Sequence, residues 1–326
     1  AQPRHVGPGQ QGLEIAIVQA PSRPVDGVLY TAWETRRAKR ATPVLIVALY
    51  GDHAAICGAT GEKPPVHSDL NVGQAERLCR EALLQPDRHA ALRFLAQALP
   101  SLATKLPGIR NEGLLALHEL EHGAPQRRDW ADAGTRARRA TGQQGNDLLK
   151  GLGFVLERLD NLTQLLRSGD RRTALAVLLN QNESVEASTA RFNSISPISY
   201  ALAKADQENL QWVIIVQGNR LRLYPTALGV GVGRRGRTET FVECQPALLS
   251  DEHLAYLWLL FSADALKPAG SLDDLLESSR RFAGALAERL RDRIYEEVVP
   301  RLATGISAAR KVKNYTADEL HLTYQM

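Results

Sequence analysis

The chain has 326 residues, 40 of them Lys or Arg against 36 Asp or Glu, a formal net charge of +4, and 44% hydrophobic residues. This length suits two or three domains with ordinary globular cores. Cys57, Cys79 and Cys244 form no C-x-x-C pair, which excludes a disulfide framework or a Cys-rich zinc site and suits a reducing, cytoplasmic setting. No stretch reaches ~18 uninterrupted apolar residues, so no membrane partner is expected.

Arginine supplies most of the basic excess. Its planar fork pairs bidentately with phosphate, so an Arg-biased surface fits a nucleic-acid partner, and it fits equally a GC-rich genome with no binding role. Ala1 stands where an initiating Met would, and the only Met is Met326. The chain is therefore expected to be a piece of a longer protein.

Residues 1–12, rich in Gly, Pro and Gln, predict a disordered lead-in. Strand-like runs follow at 13–20, 28–33, 43–51 and 53–59, with Gly51-Asp52 as a hairpin turn between the last two. Turn residues fill 60–69. Helical spacing then puts Ala75, Leu78, Cys79 and Ala82 on one stripe of a helix over 72–85. Further helices are predicted over 89–103 and 112–123, the latter stopped by Gly123 and Pro125. These elements make an N-terminal α+β domain over 13–125, and 126–142 reads as a linker.

The second unit, 143–248, predicts a helix at 146–153 and strands at 154–159 and 173–180. A helix opened by Ser196-Pro197 follows over 196–210, then strands at 212–218, 220–226 and 238–244, the first two joined at Gly218-Asn219. Residues 249–326 read as helical, chiefly 251–266 and 271–306, with a kink at Pro300. The expected fold class is mixed α/β: an N-terminal α+β domain, a central α/β domain and a C-terminal helical segment.

Four phrases carry a resemblance: LPGIRNEGLLALHELEHGAPQRRDW (106–130), ALAKADQENLQWVIIVQGNRLRLYP (201–225), GVGRRGRTETFVECQPALL (231–249) and LAYLWLLFSADAL (254–266). Together they resemble the region preceding the methylase domain in large bacterial adenine-N6 DNA methyltransferases. That group includes fused type IIG restriction-modification enzymes and the methylases of Pgl/BREX and DISARM phage defence. The likeness runs from roughly residue 40 to the C-terminus. It implies a DNA-engaging region with double-stranded DNA and other defence-system subunits as partners, and a central domain like the PD-(D/E)xK endonucleases. It also implies a continuation past Met326 into a methylase that uses S-adenosyl-methionine. The chain has no Asn-Pro-Pro-Tyr tetrapeptide, the loop that holds a flipped adenine in that class, so neither methyl transfer nor a resident cofactor is expected of these residues.

Nuclease chemistry of the PD-(D/E)xK kind needs two acids to hold Mg²⁺ and a lysine near the attacking water. Asp160 or Asp170 is placed as the first acid and Glu183 as the second. Where E-x-K should close the central strand the chain reads Asn180-Gln181-Asn182, and no lysine lies between Lys150 and Lys204. Gln181 or Arg172 is the available substitute. The reading is a nuclease-like scaffold that has lost its site, with an active Mg²⁺-dependent endonuclease as the alternative. Against both stands the plain reading of Asp170 as a turn residue and Glu183 as a solvated loop acid.

Two further constellations remain open. His118, Glu119 and His122 satisfy H-E-x-x-H, the zinc metallopeptidase pattern, which on a helix presents both imidazoles on one face. Gly123 and Pro125 stop that helix at once, and exposed histidines on an acidic helix end is the competing view. Gly229, Gly231 and Gly233 lead into Arg234, Arg235 and Arg237, a loop suited to hugging a phosphate backbone or merely to solvated flexibility. Arg220 and Arg222 share one face of a strand and would join that loop in a positive strip for DNA. A protein-interaction scaffold without DNA binding is the last alternative.

Overall fold

The computed structural model describes residues 12–38, 42–59, 61–233 and 235–310. Nearly all of the expected lead-in, Arg234 and residues 311–326 lie outside them. The fold is mixed α/β and is organised by a four-stranded and a seven-stranded sheet. No described helix is long and apolar enough to cross a membrane.

In the first sheet β1 (Glu14–Gln19) lies parallel to β2 (Val44–Tyr50), and β3 (His53–Gly58) and β4 (Val66–Asn71) continue antiparallel. Joining two parallel strands needs a crossover, and α1 (Asp26–Arg37) supplies it. The run 28–33, expected as a strand, is the middle of α1. Only Leu29 and Trp33 are buried there while Val28 is 63% exposed, a helical rather than a two-residue period. The opposite face is covered by α2 (Val72–Leu83) and α3 (Arg88–Ser101), whose Leu78, Ala82, Leu95 and Ala98 meet Leu45, Val47 and Ile56. Asn71 and Asp87 cap these helices by accepting from Gly73 and from His89 and Ala90.

The second sheet has the order β5-β11-β10-β9-β8-β7-β6. After α5 (Gly145–Gly151), the strands β6 (Val155–Arg158), β7 (Thr163–Ser168) and β8 (Arg171–Leu179) form an antiparallel meander. The helix α6 (Pro197–Gln207) then crosses over, so that β9 (Trp212–Gln217) runs parallel to β8. The strands β10 (Arg220–Pro225) and β11 (Phe241–Cys244) return antiparallel, and β5 (Ile109–Glu112) pairs with β11. Because β8 and β9 are covered on both faces they read as continuous apolar runs. Leu175, Val177, Val213 and Ile215 pack on α6, while Ala174, Ala176, Ile214 and Val216 face the larger core.

Three expectations fail here for identifiable reasons. The supposed linker contains α4 (Trp130–Ala140), whose buried side is Ala133, Ala137 and Ala140. Alanine favours helix but adds little apolar signal, and its small size lets α4 lie close against α7 (Ala255–Phe261), Ala133 meeting Ala255 and Leu259. The helix expected over 112–123 is instead the end of β5 and a π-turn at Glu119–Gly123. Since β5 belongs to the second sheet, the boundary between the two sheets falls after α3 and not at residue 125.

The long C-terminal helix is α8 (Ser271–Arg293), a π-turn at Ile294–Val298 and α9 (Val299–Arg310). Pro300 has no N–H for the carbonyl of Glu296, and its ring crowds that oxygen. The widened turn just upstream absorbs the misfit without ending the helix.

Candidate functional site

Where β8 and β9 end, the chain leaves the sheet, and α2 and α3 of the first unit close over the gap. The result is a cleft of about 870 Å³, bordered by Glu81 and Phe94 on the helices and by Gln181, Gln217 and Arg220 on the strand ends. Crevices outside the carboxyl ends of parallel strands are where open α/β sheets hold ligands. Hydrogen bonds from α2 to the segment after β11 set its width: Gln74 Nε2 donates to the Leu248 carbonyl at 2.5 Å and Arg77 to Asp251 at 2.7 Å.

The acids of the cleft are already engaged. Glu81 is 6% exposed, and its carboxylate accepts from the amides of Gln85, Gln144 and Asn219. Burial pushes its pKa up, opposed by the Gln144 hydrogen bond. Glu183 accepts from the Asn180 N–H and from Arg191. Partial burial alone would raise its pKa, but Arg191 and the Asn180 N–H outweigh that and hold it below the usual carboxylate value. Gln217 Nε2 ties the strand end to the carbonyls of Asn180 and Glu183 at 2.8 and 2.7 Å.

Arginines and acids nearly balance along the lining: Arg93, Arg220 and Arg222 stand against Glu81, Asp87, Glu183 and Glu186. Arg222 is held by Glu243 and by Glu186. Arg220 lies 3.9 Å from Glu243 and donates to Gln97. Arg93 has no ion pair among the described residues and donates to the Asn182 amide at 3.0 Å. The cleft is thus polar without being cationic.

The predicted acids do not converge. Asp170 sits fully exposed in the turn between β7 and β8, and Glu183 follows the other end of β8, so nine strand residues separate them, about 30 Å. Asp160, the alternative first acid, lies before β7, at the same end of the sheet as Glu183. Its carboxylate accepts from the Leu162 and Thr163 N–H groups and lies 3.8 Å from Lys204. Arg172 is at the Asp170 end, paired with Glu208. Gln181 lines the cleft, as does Glu183.

The expected positive strip does not form either. Arg220 and Arg222 do share a face, but Arg235 pairs with Glu112 at 2.5 Å and Arg237 with Asp206 at 2.8 Å, both at the opposite end of the sheet. Arg234 lies outside the described residues. The glycines of that loop serve the chain itself: Val232 and Gly233 donate to the Gly113 carbonyl. A Cβ on Gly231, whose φ is +102°, would stand 2.5 Å from that oxygen.

His118 and His122 are neighbours, with ring centroids 4.9 Å apart, but His118 is stacked on Phe282 of α8 at 4.2 Å. The Glu119 carboxylate folds back over Gly123. The acids that follow in sequence, Asp129 and Asp132, are engaged by Arg127 and Arg136. Among the described residues no group of three or more His, Cys, Asp or Glu is arranged to hold a metal ion.

Sequence reasoning missed Glu81, Arg93, Phe94 and Gln245. A signal for the first was present. Gln74, Leu78 and Glu81 follow one stripe of α2 at i, i+4 and i+7, so polar residues occupy positions that the helical period assigns to the core. Comparisons with protein-family models, with curated proteins and with solved structures found no match.

Proposed function

We propose that the chain is a DNA-engaging module of a restriction-modification or phage-defence methyltransferase, built on a nuclease-like core that no longer hydrolyses DNA. The observation that carries this reading is the polar cleft at the carboxyl ends of β8 and β9. The succession α5-β6-β7-β8-α6-β9, with β8 and β9 parallel, suits a PD-(D/E)xK core. In such a core this end of β8 is where the acid and lysine would act.

The residues present do not fit Mg²⁺. Asp160 and Glu183 already take N–H groups and cations, and Asn180-Gln181-Asn182 offers neither a lysine nor a carboxylate. The strand end thus lacks the lysine that would activate water in a PD-(D/E)xK site, and the reading is a module that binds. DNA would approach the cleft mouth, where Arg93, which pairs with no carboxylate among the described residues and donates to the Asn182 amide, can turn to phosphate.

The test is a mobility-shift and nicking assay on duplex DNA with Mg²⁺ or Mn²⁺ at rising salt. Binding should weaken steeply with salt, Arg93→Ala should reduce the salt slope by about 1, and no nicks should accumulate. Nicking abolished by Glu183→Ala would replace this reading with an active endonuclease.

A second reading, a protein-interaction scaffold, is favoured by the apolar stripe Leu286, Leu290, Ile294, Val298 and Leu302 along α8 and α9. Each of these is at least 40% exposed, and a partner surface would cover them. Absence of any DNA affinity at low salt would favour it over the first.

A further inference from the structure

We propose that the cleft takes a single unstacked nucleobase, edge-on to Gln245 and against the face of Phe94. The inference rests on the nucleic-acid reading above and names what part of the nucleic acid enters.

Gln245 carries the argument. It follows β11, is 7% exposed, and lines the cleft. Its backbone is satisfied, the N–H donating to Gly108 and the carbonyl accepting from Leu248. Its carboxamide makes no hydrogen bond with any described residue, whereas the amides of Gln85, Gln144, Gln217 and Asn219 are all used internally. Buried polar groups in folded proteins find partners almost without exception. The Gln245 carboxamide, open toward the cavity, offers a donor and an acceptor that a ligand can take over from water.

Charge narrows the chemistry. The arginines and acids of the lining are nearly balanced and most are paired, so the interior has no spare charge with which to neutralise a phosphate or a carboxylate. A ligand there must be neutral and must offer both donors and acceptors. A carboxamide presents one of each in a plane, the geometry that matches the edge of a base. Gln181, on the exposed lip, makes no side-chain hydrogen bond among the described residues and can supply a second pair.

Phe94, half-buried on α3, gives the cleft its aromatic wall, and stacking on aromatic rings is how single-stranded nucleic acid is held with little regard to sequence. Arg93, next to it, stays at the mouth for the phosphate. The cavity of about 870 Å³ falls within the ~300–1,000 Å³ usual for small-molecule sites.

The experiment compares three fluorescent probes by anisotropy: a single-stranded oligonucleotide, a strand of equal length whose nucleotides are all abasic, and a duplex. Free deoxynucleosides serve as competitors, to separate a base within a strand from a free nucleoside. The base-bearing strand should bind at least ~10-fold tighter than the abasic strand. Gln245→Leu and Phe94→Leu should each reduce that ratio toward one with little effect on the abasic strand. Gln181→Ala, at an exposed position that leaves the core untouched, should lower the ratio by a smaller factor. Equal affinity for the two strands, or a ratio unmoved by Gln181→Ala and by correctly folded Gln245→Leu, overturns the inference while duplex binding keeps the nucleic-acid reading alive. Displacement by free nucleosides with no preference for a strand would instead remove DNA and leave the nucleoside site. Failure to bind any probe removes both.

Discussion

The two ends of the seven-stranded sheet were given equal standing by the sequence and prove very unequal in the structure. At one end lie Asp170 and Arg235, both exposed, and the half-buried Arg237, each joined to a neighbouring charge. At the other lie Glu81, Glu183 and Arg222, covered by a second unit of the chain and held by Asn219, by Asn180 and by Glu243, together with the buried Gln245. The difference teaches that a charged residue gains chemical meaning from what covers it. A surface ion pair is worth about 0–1 kcal/mol because water screens it, whereas an enclosed carboxylate must be satisfied or neutralised.

Substitutions should make this contrast measurable. The largest effect is expected for Glu81→Leu, which strands the amide donors of Gln85, Gln144 and Asn219. Chemical denaturation should show a loss of about 3 kcal/mol, against a change within ~0.5 kcal/mol for Asp170→Ala at the other end. Equal effects would erase the distinction. Gly231→Ala comes next. It forces a Cβ to 2.5 Å from the Gly113 carbonyl at a φ of +102° and should cost about 2 kcal/mol, with no change in DNA affinity if this loop serves only the fold.

The pH dependence divides the cleft itself. The folded value of Glu81 lies above its ordinary 4.5, so the folded state takes up that proton first. The stability it brings is complete below about 4.5 and lost as pH rises through the folded value. The folded value of Glu183 lies below 4.5, so its contribution is present above 4.5 and lost as pH falls through the folded value. Denaturation curves from pH 3 to 8 should show wild type gaining on Glu81→Gln as pH falls toward 4.5, whereas its advantage over Glu183→Gln, present at pH 7, should shrink as pH falls below 4.5. Parallel curves for the two variants would contradict the assignment of opposite environments. The smallest effects belong to Arg235→Ala and Arg237→Ala, each below about 1 kcal/mol and without influence on a mobility shift. A weakened shift would restore the loop as a DNA contact.

Much of the fold was legible. The hairpins at Gly51-Asp52 and Gly218-Asn219, the helix opened by Ser196-Pro197 and the apolar runs of β2, β8 and β9 all stand where local pattern put them. What escaped has a common cause. The alanine face of α4 is apolar but small, the strand-like run in α1 is rich in β-branched and aromatic residues, and β7 shows no clean alternation. In each, burial against a distant element overrode a weak local preference. Gln181 and Glu183, singled out because they follow a recognisable strand, line the cleft. Gln245 and Phe94 were not singled out, although Gln245 directly follows the strand expected at 238–244, since nothing beside them in sequence distinguishes a residue facing a cavity from one facing a core.

By itself the amino-acid order determined which segments are amphipathic, where the chain reverses, and that the strand end at Asn180 lacks the lysine of a nuclease. Tertiary structure alone decided which charges are free. Glu112 and Arg235 are 123 residues apart and Glu81 and Asn219 are 138, and no local pattern specifies such partners. Periodicity encodes the face a residue presents, but only packing selects what that face meets, and in this protein the meeting of α2 and α3 with the ends of β8 and β9 turns ordinary polar side chains into a cleft.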